Sequence, residues 1–467
     1  MTLRKTLLST LLLSFVFVGN VYAEDAEEKF NRAYQYIEQE NYQVAFPLFK
    51  ELAEQGVAQA QAILGLMYKE GDGVKQNYHQ AFKWFQKAAE QGDKNAQLYL
   101  GFMYYDGEGV RQDYHQAAKW FQKAAEQGDV MAQNNLGVMY SDGQGVRQDY
   151  HQAVKWYQKA AEQGDASAQF NLGLKYQNGQ GVSQDYHQAL KWFQKAAEQG
   201  DAQAQYNLGV MYHKGQGVRQ DYHQAVKWYQ KAAEQGNAGA QSNLGVMYLG
   251  GLGVSQDYHQ AFKWFQKAAE QGDAEAQFNL ALMYRQGQGV SQDYHQAAKW
   301  YQKAAEQGDA EAQLNLGVMY HKGQGVRQNY HQALKWYQKA AEQGDARAQF
   351  NLGNMYYDGQ GVSQDYHQAV KWYQKAAEQG YAEAQFNLGN MYYDGQGVRQ
   401  DYHQAAKWYQ KAAKQGDAQA QAALGLMYVS GKGVRQNGAA AKMWIGKACD
   451  NGYRDVCDLY RELNGGK

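Results

Sequence analysis

The chain contains eleven tryptophans, Trp84, Trp120, Trp156, Trp192, Trp228, Trp264, Trp300, Trp336, Trp372, Trp408 and Trp444, and every step between neighbours is 36 residues. No tryptophan lies outside that register. Gly56 to Gly452 and Tyr68 to Tyr428 mark the same interval. A fixed period between about 20 and 50 residues indicates an array of stacked units, each burying its apolar surface against its neighbours. Without it, 467 residues would suggest three ordinary domains of about 150 residues each.

Composition narrows the class further. With 46 Lys+Arg against 47 Asp+Glu, the formal net charge of −1 gives no long-range attraction to nucleic acid or anionic lipid. An aromatic content of 14% is well outside the composition that keeps chains unfolded.

Residues 1–23 read MTLRKTLLSTLLLSFVFVGNVYA. Arg4 and Lys5 precede an apolar run from Leu7 to Val18, and Val21 and Ala23 are the small residues at the −3 and −1 positions. This is the pattern of a secretory signal peptide cut after Ala23. The run is short of the ~20 residues that span a bilayer, so no membrane insertion is expected after cleavage. The expected location is periplasmic or secreted.

Residues 129–164, DVMAQNNLGVMYSDGQGVRQDYHQAVKWYQKAAEQG, represent one repeat. A first amphipathic helix starts after Asp129, an N-cap acid. It places Ala132, Leu136 and Tyr140 on one face and stops at Gly143. A second helix opens at Asp149 with Gln152 in capping-box spacing and buries Ala153, Trp156, Tyr157, Ala160 and Ala161. It closes at Gly164. No segment shows the period-two alternation of strands. Gly137, inside the first helix, indicates close approach of another helix, and Ala281 takes that place in one repeat.

Eleven repeats run over residues 57–452. Residues 24–56 form a shorter capping unit whose tighter loop is expected to hold the only proline, Pro47. Residues 453–467 form a terminal capping helix and tail, with 453–463 as a last first-helix. The expected fold is therefore all-α, an α/α solenoid with atypical ends that cover its open apolar faces.

The pattern A-x-A-x-x-x-L-G-x-M-Y-x-x-G-x-G-V-x-Q-D-Y-x-x-A-x-K-W-[FY]-x-K-A-A-E-Q-G-D closely resembles the Sel1-like repeat (SLR) family, a relative of tetratricopeptide repeats. That resemblance implies a right-handed α/α superhelix whose first helices line a concave surface. It also implies a non-catalytic adaptor or scaffold, in bacterial envelope regulation or contact with host cells. At the C-terminus, Lys447-Ala448-Cys449 followed by Cys457 resembles the C-x7-C pair of the Helicobacter cysteine-rich proteins. By that likeness, and because paired cysteines are usual in exported chains, Cys449 and Cys457 are expected to form a disulfide.

Chemistry-bearing constellations are weak. Ten histidines recur from His79 to His403 at helix openings, too far apart in successive layers to share a metal at ~2.0 Å. His213 and His321 sit elsewhere in non-adjacent repeats. Neither a metal nor a cofactor is expected. Ser-x-x-Lys, Gly-x-Ser-x-Gly and phosphate-loop motifs are absent, so no catalytic residue is assigned. The tryptophans share their face with alanines and read as core. Lys155, Lys159 and Glu162 read as a solvated face.

The surface of most interest is the first-helix stripe Met131, Asn135, Val138 and Asp142. The residues equivalent to Asp142 vary freely: Asn178, Lys214, Gly250, Gln286, Lys322 and Asp358. Asn135, in contrast, recurs as Asn171, Asn207, Asn243, Asn279, Asn315, Asn351 and Asn387. Asn offers a donor and an acceptor, so such a ladder suits the backbone of an extended peptide, and tetratricopeptide relatives use first-helix Asn in this way. Hydrogen bonding within the solenoid is the competing role. The expectation is a monomeric exported scaffold for proteins or extended peptides. Two other readings compete with it: a glycan or peptidoglycan binder using Tyr105, Tyr357 and Tyr393, and a β-lactam-interacting hydrolase.

Overall fold

The computed structural model describes residues 21–463 and residue 465. Residues 1–20, most of the expected export segment, lie outside the described residues, and the first described helix, Val21–Glu38, runs through the expected cleavage point. Among the described residues every regular element is helical.

The chain divides at the repeat boundary between Asn237 and Ala238 into two compact units. The first holds Val21–Glu38 and Tyr42–Glu54, then five helix pairs from Ala58–Glu70 and Tyr78–Glu90 to Ala202–Lys214 and Tyr222–Glu234. The second holds six pairs from Ala238–Gly250 and Tyr258–Glu270 to Ala418–Ser430 and Gly438–Asp450. A 3-10 turn, Arg454–Val456, and a short helix, Cys457–Leu463, end it.

Local chemistry sets the helix limits. In the representative repeat the first helix spans Val130–Asp142, and Asp129 caps it by accepting the Ala132 N–H at 2.8 Å. Gly143 takes the left-handed conformation that ends it, at φ 73°. The second helix spans Tyr150–Glu162, capped by Asp149 accepting from Gln152 N at 3.0 Å. The two helices cross closely enough that a Cβ on Gly137 would meet Tyr157 Cδ1 at 2.6 Å. The close approach expected at Gly137 is thus made within its own repeat.

Repeats adhere through three devices. Within each unit the Trp side chains pack between the second helix of the preceding repeat and the first helix of their own: Trp156 lies in one cluster with Phe121 and Ala124 of the one and Leu136 and Met139 of the other. Its outer face is not bare, because Lys159 Nζ lies 4.3 Å from the ring centroid, so this lysine has a partner where the sequence suggested only solvent. The second device is a buried glutamine ladder. Gln133, 3% exposed, donates to Ala125 O of the preceding helix at 3.1 Å and accepts from Gln163 Nε2 at 2.8 Å. Equivalent bonds recur within each unit, from Gln61 to Gln205 in the first and from Gln277 to Gln421 in the second, where Asn451 closes the series at 2.9 Å. The third is histidine. His115 Nδ1 reaches Gly145 O of the next loop at 3.2 Å, and a carbonyl only accepts, so Nδ1 carries the proton.

The ends differ in part from expectation. Pro47 lies inside the helix Tyr42–Glu54 rather than in a loop. Ala45, Phe49 and Leu52 anchor that helix in the core, while Pro47 sits on its exposed side, where water can serve the carbonyl it leaves unpaired. The terminal segment is a turn and a seven-residue helix in place of a full first-helix, and the Cys449–Cys457 disulfide ties it to the preceding helix with Cα atoms 5.2 Å apart.

Candidate functional site

The eight ladder asparagines all stand half-buried on first helices. Their amides are largely engaged. Asn135, Asn207, Asn279 and Asn315 donate to the carbonyl four residues earlier in their own helix, at 2.8 to 3.0 Å. Asn315 also accepts from Arg285 Nη1 at 2.7 Å. Asn171 and Asn387 donate across to Asn134 and Asn354 of the preceding repeat, at 3.2 and 3.4 Å. Asn243 and Asn351 have no hydrogen-bond partner among the described residues. The Asn oxygens, Asn315 excepted, remain open as acceptors.

A second set of groups, not singled out from sequence, reaches the same layer from behind. The second-helix position held by Tyr157 is Tyr or Phe in nearly every repeat, and a tyrosine hydroxyl there extends to the first helix. Tyr229 Oη meets His213 Nδ1 at 3.3 Å, Tyr373 donates to Asn354 Oδ1 at 2.7 Å and Tyr409 to Asn390 Oδ1 at 2.6 Å. Burial raises the pKa of Tyr157, Tyr301, Tyr337, Tyr373 and Tyr409, that of Tyr301 to about 12, so they stay protonated donors. The Tyr301 hydroxyl is buried without a partner among the described residues. The sequence signal was available: where the second helix has Phe, as at Phe85, Phe121, Phe193 and Phe265, no hydroxyl needs a first-helix partner.

A cavity of about 270 Å³ in the 346–417 repeats is lined by the Tyr373–Asn354 pair and by Asn390, together with Tyr357, Asp358, Asn387 and Met391. Because each tyrosine hydroxyl donates to an amide oxygen, the Nδ2 groups of Asn354 and Asn390 are left without a partner among the described residues.

The structure also brings together a serine and a lysine that sequence motifs did not. Lys175 replaces the register methionine, is 8% exposed, and its Nζ lies 2.7 Å from Ser141 Oγ, 3.1 Å from Gln180 Oε1 and 4.6 Å from the Tyr150 ring centroid. Burial lowers the Lys175 pKa. An ammonium donating to Ser141 leaves the serine an acceptor, the reverse of what a nucleophile needs, and both groups are nine-tenths buried. We assign this pair to the core.

Tyr105, Tyr357 and Tyr393 do not present free faces side by side. Each packs against a tyrosine of its own second helix, at 5.1, 5.2 and 5.0 Å between centroids, and the Tyr105 and Tyr357 hydroxyls donate to Gln144 and Gln396. Among the described residues no group of three or more His, Cys, Asp or Glu is placed to hold a metal. Nor is any helix among them long and apolar enough to cross a membrane.

The Sel1 repeat model matches this chain eleven times in succession, from residues 58–93 to residues 418–453. A protective antigen present in uropathogenic Escherichia coli strains, displaying an SLR fold, shares 43% identity over 90% of this chain and 90% of its own, with a TM-score of 0.81. A Sel1 repeat protein from Oxalobacter formigenes shares 34% identity over 74% of this chain and 99% of its own, with a TM-score of 0.53. Helicobacter pylori cysteine rich protein B shares 30% identity over 28% of this chain and 92% of its own, with a TM-score of 0.23. No curated protein matches the chain.

Proposed function

The chain belongs to the Sel1 repeat family, and we propose on that premise that it is an exported, non-catalytic scaffold that binds segments of other proteins through its first-helix layer. One observation carries the reading. Second helices repeat almost unchanged, as in YHQAVKWYQKAAEQG, whereas the outer first-helix positions change identity and charge from repeat to repeat, as from Asp142 to Lys214 to Gly250. Constant residues build the stack, and varied exposed residues give each stretch its own specificity. The Asn ladder beside them supplies hydrogen bonds to backbone, and affinity accumulates from many weak contacts.

Export is supported by the 1–23 pattern and by a disulfide, which persists in oxidising compartments. That a 43% identical relative is a protective antigen supports a location at or beyond the cell envelope. In vivo crosslinking of the full chain, followed by mass spectrometry, tests the reading. Replacing Asn243, Asn279 and Asn315 by Ala is expected to remove crosslinked partners while the melting midpoint holds. If every partner stays and stability falls, the ladder is structural and the binding surface is misplaced.

A further inference from the structure

Asn354 and Asn390 stand at a first-helix position that is apolar in the other nine repeats, as at Val246, Leu282, Val318 and Leu426. The two departures are consecutive, and both side chains line the same cavity of about 270 Å³. A buried tyrosine fixes each amide: Tyr373 Oη donates to Asn354 Oδ1 at 2.7 Å and Tyr409 Oη to Asn390 Oδ1 at 2.6 Å. Turning either amide over would break that bond. Neither Nδ2 has a partner among the described residues. A half-buried amide that replaces an apolar side chain and leaves its donor unpaired adds nothing to the stability of the stack, so packing alone does not account for the pair.

The rest of the lining adds acceptors. Asn387 Nδ2 donates to Asn354 Oδ1 at 3.4 Å, which leaves its own Oδ1 open. Asp358 is exposed and forms no ion pair among the described residues. Tyr357 and Met391 supply the apolar part of the wall. The cavity thus offers donors from two amides and acceptors from an amide and a carboxylate. A cation would satisfy Asp358 and leave both amide donors idle, while an anion would meet the Asp358 charge. A peptide unit brings one donor and one acceptor, fewer than the cavity holds. A sugar ring brings several hydroxyls, each a donor and an acceptor at once, around a small body with C–H faces. The volume, just below the ~300 Å³ at which sites for drug-sized ligands begin, suits one such ring.

Going beyond the binding of protein segments, we propose that this cavity is a binding site for one neutral saccharide ring. The Asn354 and Asn390 amides donate to hydroxyl oxygens of the ring, and Asn387 Oδ1 and Asp358 accept from its hydroxyls. The Asp358 charge turns acidic sugars away. The same ring chemistry occurs in glycans carried by partner proteins and in free polysaccharides.

The test is saturation-transfer NMR of the full chain with the methyl glycosides of glucose, galactose, mannose and N-acetylglucosamine, with methyl glucuronide and a capped glycine–serine peptide in parallel. At least one neutral glycoside is expected to saturate a single site, and the glucuronide and the peptide are not. Asn354→Val with Tyr373→Phe and Asn390→Val with Tyr409→Phe install the pairing of Val246 with Phe265 found in another repeat. This quadruple variant should still melt cooperatively and bind the glycoside about 30-fold more weakly, two hydrogen bonds having been removed. Asp358→Asn, at an exposed position, should leave the melting midpoint in place and admit the glucuronide. No binding of any of the four glycosides, wild-type affinity in the Val/Phe variant, exclusion of the glucuronide by Asp358→Asn, or equal binding of the peptide would each overturn the assignment. For the glycoside that binds, serum albumin conjugated with it and a soluble polysaccharide built from it separate the two sources. Retention of the conjugate identifies a glycosylated partner, retention of the polymer a free polysaccharide, and equal retention of bare albumin counts against both. Loss of crosslinked partners in the Asn243, Asn279 and Asn315 variant together with no glycoside binding would remove this site alone and leave the scaffold role standing.

Discussion

Single positions decide how the two helix layers communicate. The hydroxyls of Tyr373 and Tyr409 cross from the second helix to orient an amide on the first, and Tyr301 buries an equivalent hydroxyl with nothing to bond. Tyr373→Phe should therefore cost about 1 kcal/mol in urea unfolding, while Tyr301→Phe should be neutral or stabilising, since an unsatisfied buried group is removed. Lys175 is the sharpest departure from the register. Lys175→Met restores the residue found in other repeats and should raise the unfolding midpoint, because a buried charge gives way to packed apolar volume. The sign of its pH dependence follows from burial lowering the folded-state pKa below 10.5. Between those two values the unfolded chain binds more protons, so wild-type stability rises with pH and the gap to Lys175→Met narrows, a trend that melting at several alkaline pH values would check. Gly137 and the Trp register were legible because each recurs at one position in almost every repeat, so a packing cause shared by the repeats shows in the pattern. The Ser141–Lys175 and Tyr373–Asn354 pairs were not, because they join residues 34 and 19 apart in the chain through side-chain directions that a linear pattern does not specify.

Between elements, the glutamine ladder matters more than its polar character suggests. Gln133 lies on a helix whose sequence shows only Ala, Leu and Tyr as the buried stripe, yet its amide joins Ala125 O behind it to Gln163 ahead. Replacing it with leucine removes both bonds: Ala125 O keeps the Gly128 N–H alone, and the Gln163 amide loses its buried acceptor. Gln133→Leu is therefore expected to destabilise by about 1–3 kcal/mol, more than most exposed substitutions in the same helix, as read from denaturant midpoints. The helix limits themselves were readable, since Asp129, Gly143 and Asp149 act through local backbone geometry. Pro47 misled because proline is read as a breaker, whereas burial of Phe49 and Leu52 holds the helix around it.

For the whole molecule, repeats coupled chiefly to nearest neighbours should lose structure from an end when an end is loosened. Reducing the Cys449–Cys457 disulfide is expected to speed hydrogen exchange in 438–463, with a loss near the low end of about 2–4 kcal/mol for a loop this short, while exchange in the preceding repeats changes little. The sequence by itself determined the all-α class, the 36-residue repeat, the helix limits and the two faces of each helix. Those follow from periodicity and from capping chemistry, which act within a few residues. The tertiary structure alone decided that the ladder asparagines spend much of their hydrogen bonding on their own helices, and that Lys175 lies in the core. It also placed two tyrosine-oriented amides at one cavity. These outcomes depend on which side chains meet across packed helices, and nearly identical repeats leave that choice to the few positions where neighbours differ.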